Sequence, residues 1–256
     1  MVTGFQYISS GEGKISTMSS GYQHISFGGT GMIETMSGGA QYINSGCTGI
    51  IDKVSNGVLH IKDGGSGVVS SMDAGYQHIS SGGTGMVGAM DGAWQVISSG
   101  GWGTVSAMNF GLQEIFDRGV GTIDTMIDGT QRVSAGGVGA IGTIMSVGFQ
   151  FVYSGGTGTI EIMNSGIQSV SGGVGIVGTV NSGSLGVYSG GTGIIEIMNN
   201  GNQTVYSGGT GTVSTMMSGW QNIDAGGTGT VSTMSDGWQN ICLLYTSDAA
   251  DDLIGV

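Results

Sequence analysis

Short alternations of apolar and polar residues recur along the chain at a nearly constant spacing. Residues 21–38 read GYQHISFGGTGMIETMSG, and sliding this template finds matching units beginning at positions 4, 21, 39, 57, 75, 93, 111, 129, 148, 166, 183, 201, 219 and 237. The spacing is 18 residues except for two units of 17 and one of 19, which gives thirteen units and a truncated fourteenth. The consensus is G-x-Q-x-I-S-S-G-G-T-G-x-V-x-x-M-x-x, numbered below as places 1 to 18 of a unit. Gln and Ile at places 3 and 5 share parity, so in a strand they face one side while places 2 and 4 face the other.

Three columns are candidates for the core. Place 3 holds Gln in twelve units, from Gln6 to Gln239, with Leu59 and Leu185 as its exceptions. Leu as the alternative residue predicts an inward column, where stacked amides can hydrogen-bond from coil to coil and so satisfy groups that are costly to bury unpaired. Place 13 supplies aliphatics (Ile33, Ile51, Val69, Val87, Val105, Ile123), and three residues later comes a Met column from Met18 to Met234. The G-G-T-G between the strands predicts a turn through φ > 0.

So regular a period predicts a solenoid. The expected fold is all-β: a parallel β-helix of about 13 coils of ~18 residues, right-handed by the usual chirality of parallel crossovers. At a strand spacing near 4.8 Å the stack would be roughly 60 Å long. Hexapeptide β-helices fit badly, because the Ile-to-Val separation here is eight and the Val-to-Met separation three.

Composition narrows the function classes. The 256 residues include 56 Gly and no Pro. Interior Gly costs a helix about 1 kcal/mol, and collagen needs Gly at every third residue with abundant Pro, so both are excluded. A hydrophobic fraction of 38% with 9% charged residues argues against disorder. Seventeen acids against five bases give a net charge of −12, which repels a phosphate backbone, so no nucleic-acid partner is expected. Two cysteines, Cys47 and Cys242, make no disulfide framework. No run reaches the ~18 apolar residues of a membrane span, and Met1 is followed by neither a basic nor an apolar leader region.

The units VISSGGWGTVSAMNFGLQEI (residues 96–115) and VYSGGTGTVSTMMSGWQNI (residues 205–223) resemble the passenger repeats of AIDA-type autotransporter adhesins. Those repeats run G-x-Q-x-V-x-x-G-G-x-A/G over about 19 residues, and the resemblance covers residues 4–241. It implies a β-solenoid stalk outside a Gram-negative bacterium, carried there by a C-terminal translocator barrel and, in several members, modified with heptose on Ser or Thr. Ser80, Ser81, Ser98 and Ser99 are residues of that kind. The resemblance also implies adhesion to surface glycans or proteins. The 18-residue period and the Met column depart from the family pattern.

At Cys242 the repeat stops and the chain becomes CLLYTSDAADDLIGV. This segment resembles the translation of a transposase-end sequencing adapter. Two segments are therefore expected: a repeat domain at 1–241, part of a longer passenger, and a non-repeat tail at 242–256 that is not native sequence. A genuine polar cap is the alternative. Without caps, open strands at the ends would favour self-association.

Outward places 2 and 4 carry most of the conspicuous side chains: Phe5, Tyr7, Tyr22, His24, Tyr76, His78, Trp94, Phe149, Phe151, Trp220 and Trp238. Stacked coils would align them into a stripe, either to bind glycans or proteins or simply to stiffen the sheet. All three His (His24, His60, His78) share place 4, but no third ligand stands in register, so no metal is expected. Place 14 holds Glu34, Asp52, Asp124, Glu161 and Glu196, the first two one coil apart as in a glycan-cleaving pair. Lys14, Lys53, Lys62, Arg118 and Arg132 form no cluster beside them, so neither catalytic residues nor a cofactor is expected. The turns resemble calcium-binding G-G-x-G-x-D repeats until the last place, where Val or Ile replaces the liganding Asp. Thr-Gly-Thr occurs in three units (Thr157/Thr159, Thr210/Thr212, Thr228/Thr230), which is too incomplete for an ice-binding array. The sequence thus predicts a rigid, adhesive, non-catalytic rod, with a solenoid carbohydrate-binding module or a glycan-active enzyme as the alternatives.

Overall fold

The computed structural model describes residues 4–62, 64–80, 82–98 and 100–242. The strands of these residues belong to one 23-stranded sheet in which every pairing is parallel. A typical coil contains a four-residue strand at places 2–5, such as Tyr22–Ile25, and a seven-residue strand at places 10–16, such as Thr30–Met36. Like pairs with like: Gln23 faces Gln41, Ile25 faces Ile43, Ile33 faces Ile51. The expected parallel solenoid with its ~18-residue coils is therefore the observed fold.

The spacing of three between the Val and Met columns has a structural cause. Along Thr30–Met36 the buried positions are Gly31, Ile33 and Met36, so the two-residue alternation fails after place 13. Pairing fails there too, since Ile33↔Ile51 is followed by Thr35↔Lys53 with Glu34 and Asp52 left out of the ladder. The chain bends at place 14, and the bend re-aims place 16 at the core. Met there suits a column that must fill an irregular corner, because its flexible thioether adapts to the gap. Val54, Ile144 and Val180 take the same position in three coils.

Length variation falls outside the columns. The two short units lose their residue in the first turn, between Ile8 and Glu12 and between Val170 and Val174. The long unit inserts its extra residue after Met126↔Ile144, where the ladder resumes at Asp128↔Val147. A one-residue slip inside a strand would turn every core side chain outward, so turns and bulges are where length can change.

The core runs the length of the stack. Ten Gln side chains, Gln23 to Gln221, are completely buried. Eight of the ten donate from Nε2 to Oε1 of the Gln one coil earlier at 2.5–2.6 Å, as in Gln41 to Gln23, Gln131 to Gln113 and Gln221 to Gln203; Gln77 and Gln203 follow a Leu in the column. The ladder breaks at Leu59 and Leu185. Among the described residues, the buried side-chain polar atoms without a partner are Gln41 Oε1, Gln77 Nε2 and Gln168 Oε1, all beside those two breaks.

The first turn glycine meets the expected φ > 0, as at Gly28, Gly46 and Gly82, but the others serve a different purpose. In the first G-G-T-G, Gly28 has φ +78°, but Gly29 and Gly31 lie outside the left-handed region. A Cβ on Gly31 would overlap Gln23 Oε1 and Ile25 Cδ1. That glycine is present because the Gln ladder and the Ile column occupy its side-chain space.

A candidate aromatic and imidazole interface

Side chains at places 2, 4 and 6 point away from the core, and parallel pairing sets each about 4.8 Å from its equivalent in the next coil. The aromatic residues expected as a stripe at places 2 and 4 gather into three clusters. The first runs from Phe5 to Trp94 through ring-to-ring contacts of 4.2–6.1 Å. The second is Phe149–Phe151–Tyr153, two alternate residues at the end of the strand Val138–Val152 and the residue just past it, with centroids 6.1 and 6.5 Å apart. The third is Trp220 stacked on Trp238 at 5.8 Å. Between the first two, the same columns hold Leu112, Thr130 and an ion pair in which Arg132 Nη1 lies 3.0 Å from Glu114 Oε1.

The first cluster carries the richest chemistry. Tyr42 and His60 stack at 4.9 Å, and His60 and His78 at 5.3 Å with nearly parallel planes. Tyr42 and His60 belong to the site although the stripe read from the sequence omits them, and their place-4 register marks them. His24 Nε2 lies 3.3 Å from Asn44 Nδ2. The Tyr7 hydroxyl donates to that of Tyr22 at 3.4 Å, which holds the Tyr7 phenol above its usual range. Burial holds the His60 imidazole below its usual range, helped by the charges of His78 and Lys62; burial does the same for His78.

Tyr7, Tyr22, His24, Tyr42 and Lys62 line an open depression of about 490 Å3. Tyr22 stands at right angles to both Tyr7 and Tyr42, so its ring and theirs form adjoining walls. A smaller hollow of about 390 Å3 lies beside Phe149 and Ile167 and is also lined by Ser165, Ser182 and Ser184. A further stacked pair, Tyr188 on Tyr206 at 4.4 Å, sits at place 6.

The remaining candidates do not assemble into sites. His60 and His78 are adjacent, but no group of three or more metal-binding side chains occurs among the described residues. The place-14 carboxylates are all exposed. Glu34 is held by Lys14 at 2.8 Å, which keeps its carboxyl below the usual range, the opposite of what a general acid needs. Lys53 is likewise engaged with Asp73 at 2.8 Å. Ser80 and Ser98 are part-exposed in the first turn, whereas Ser81, Ser99 and the tail 243–256 lie outside the described residues.

Fold and surface together define a parallel β-solenoid with a lateral aromatic face. The chain matches no protein-family model and no curated protein. Among solved structures it is similar to the crystal structure of a TibA fragment hyper-glycosylated by TibC catalysis, with a TM-score of 0.78 and 24% identity. The match covers 93% of this chain and 94% of that fragment, so the likeness of fold extends over nearly the whole solenoid.

Proposed function

We propose that this chain is a non-catalytic adhesive rod, the stalk of a passenger displayed on a bacterial surface by an autotransporter route. The observation that carries the reading is the coil-to-coil register from Phe5 to Ile241, which buries the internal columns as far as Ile223 and leaves long lateral faces open for contact. The AIDA-type pattern of the repeats and the fold shared with the TibA fragment support it. The same likeness supports sugar attachment at exposed hydroxyls: Ser154, Ser189 and Ser207 stand exposed at one turn position of their coils. On this reading residues 4–241 are stalk and the tail from 242 is foreign to it.

The test is display. The chain, placed between an export signal and a translocator barrel in a Gram-negative host, is expected to raise attachment of the cells to epithelial monolayers above that of cells displaying an unrelated solenoid of equal length. Equal attachment at equal surface density would refute the adhesive role.

A further inference from the structure

We infer that the depression lined by Tyr7, Tyr22, His24, Tyr42 and Lys62 binds a terminal sugar carrying a carboxylate, at the end of an otherwise neutral glycan. The inference rests on the adhesive reading and names the ligand class of that surface.

Charge carries the first part of the argument. The chain is strongly acidic, yet from the first coil through Trp94 the outward places 2, 4 and 6 hold no carboxylate. They hold aromatics, Ser, Ala40, Val58, Asn44, three imidazoles and one cation, Lys62. Among the described residues Lys62 is also the one Lys or Arg without an ion-pair partner; Lys14, Lys53, Arg118 and Arg132 each have one. Asp63, its chain neighbour, lies outside the described residues. An exposed cation at the rim of an aromatic hollow offers an anion a partner that the rest of this surface denies it.

Shape carries the second part. Perpendicular Tyr faces present a floor and a wall on which the apolar face of a sugar ring can stack while phenol hydroxyls meet its edge. A space of about 490 Å3 admits one or two rings. One cation matches one carboxylate, whereas a polyuronate would bring an acid on every ring against a chain of net charge −12.

The experiment is ligand-observed NMR titration of the intact chain with 3′-sialyllactose, lactose and a polygalacturonate oligomer. Sialyllactose is expected to bind about fivefold more tightly than lactose, the scale of one exposed charge contact. Lys62→Gln should abolish that preference, Lys62→Arg should retain it, and Tyr22→Ala should weaken both sugars by about fivefold to tenfold. Both positions are solvent-accessible, and circular dichroism would check that the three variants keep the strand signal. Equal affinity for the two lactosides, stronger binding of polygalacturonate, or no binding would overturn the inference. Sialidase treatment of the monolayers separates the two claims: attachment that persists undiminished overturns the ligand class and leaves the adhesive rod standing.

Discussion

Replacing Leu59 with Gln should stabilise the protein, although it puts a polar side chain into a fully buried site. Leu59 is 1% exposed and separates Gln41, whose Oε1 has no partner, from Gln77, whose Nε2 has none. The ladder has one direction, each Nε2 donating to the Oε1 of the coil before. Gln at 59 would therefore donate to Gln41 and accept from Gln77, filling both vacancies. Two buried amide hydrogen bonds contribute about 2 kcal/mol net, and relief of two orphaned groups adds about 1–3 kcal/mol in all. Against this stand about 2 kcal/mol of lost Leu burial and about 1 kcal/mol of extra rotamer entropy. The balance is a gain of about 1 kcal/mol, or a rise in Tm of about 2–4 °C.

The mirror experiment is Gln113→Leu. Gln113 donates to Gln95 and accepts from Gln131 at 2.6 Å each. Its loss would orphan Gln95 Oε1, while Gln131 Nε2 keeps the carbonyls of Gly121 and Ala140. With one orphaned atom instead of two, the same terms nearly cancel, and the change should stay within about 1 kcal/mol. Thermal melts by circular dichroism would measure both, and amide hydrogen exchange would show whether the change is centred on the neighbouring coils, as nearest-neighbour stacking requires. A fall in Tm for Leu59→Gln, or an equal rise for both variants, would refute the ladder as a source of stability.

Gly49→Ala should be severely destabilising, by about 3 kcal/mol, because the new methyl would overlap Gln41 Oε1 and Ile43 Cδ1; Gly46→Ala, which meets no atom within 4 Å but sits at φ +65°, should cost only about 1 kcal/mol, and denaturant midpoints would rank them. Arg118 occupies the turn position usually held by Gly, at φ +64°, so Arg118→Gly should gain up to about 1 kcal/mol, and an unchanged or lower midpoint would count against strain there. His60 and His78 titrate below their ordinary value in the fold, so acid protonates the unfolded chain first. Their contribution is constant above the ordinary histidine pKa near 6.5 and declines as pH falls from there toward the depressed folded values. The Tm lost between pH 7.5 and 5.5 should shrink in the His60→Gln/His78→Gln double variant, and an equal loss would remove the imidazole pair as its cause.

Much of this is legible in the sequence because a solenoid turns periodicity into contact. Once Gln23 and Gln41 are known to share a place in successive units, their stacking follows, and so does burial of the columns at places 5, 13 and 16. What escapes the period is whatever depends on the interior of a single coil. The bend at place 14 shows only as a spacing of three between Val and Met, and nothing local marks Gly31 as a glycine of close packing rather than of turn geometry. The aromatic stripe is interrupted for a related reason. Register brings places together, but a stack needs rings on both sides, and Leu112, Thr130 and the Glu114–Arg132 pair interrupt it. The depression around Lys62 draws on four coils and three outward columns, which no single unit displays.

The one-way Gln ladder also gives the rod an electrical sense of direction. A chain of amides all donating the same way adds its dipoles, and hydrogen bonds in series polarise one another. The longest run, Gln77 to Gln168, aligns six side-chain amides, which at about 3.5 D each come to roughly 20 D along the axis. Leu59 and Leu185 act as insulators that divide this core into three shorter circuits. Their unpaired oxygens and nitrogen are the terminals, so a substitution that closes either gap would lengthen the circuit as well as satisfy the atoms at its ends.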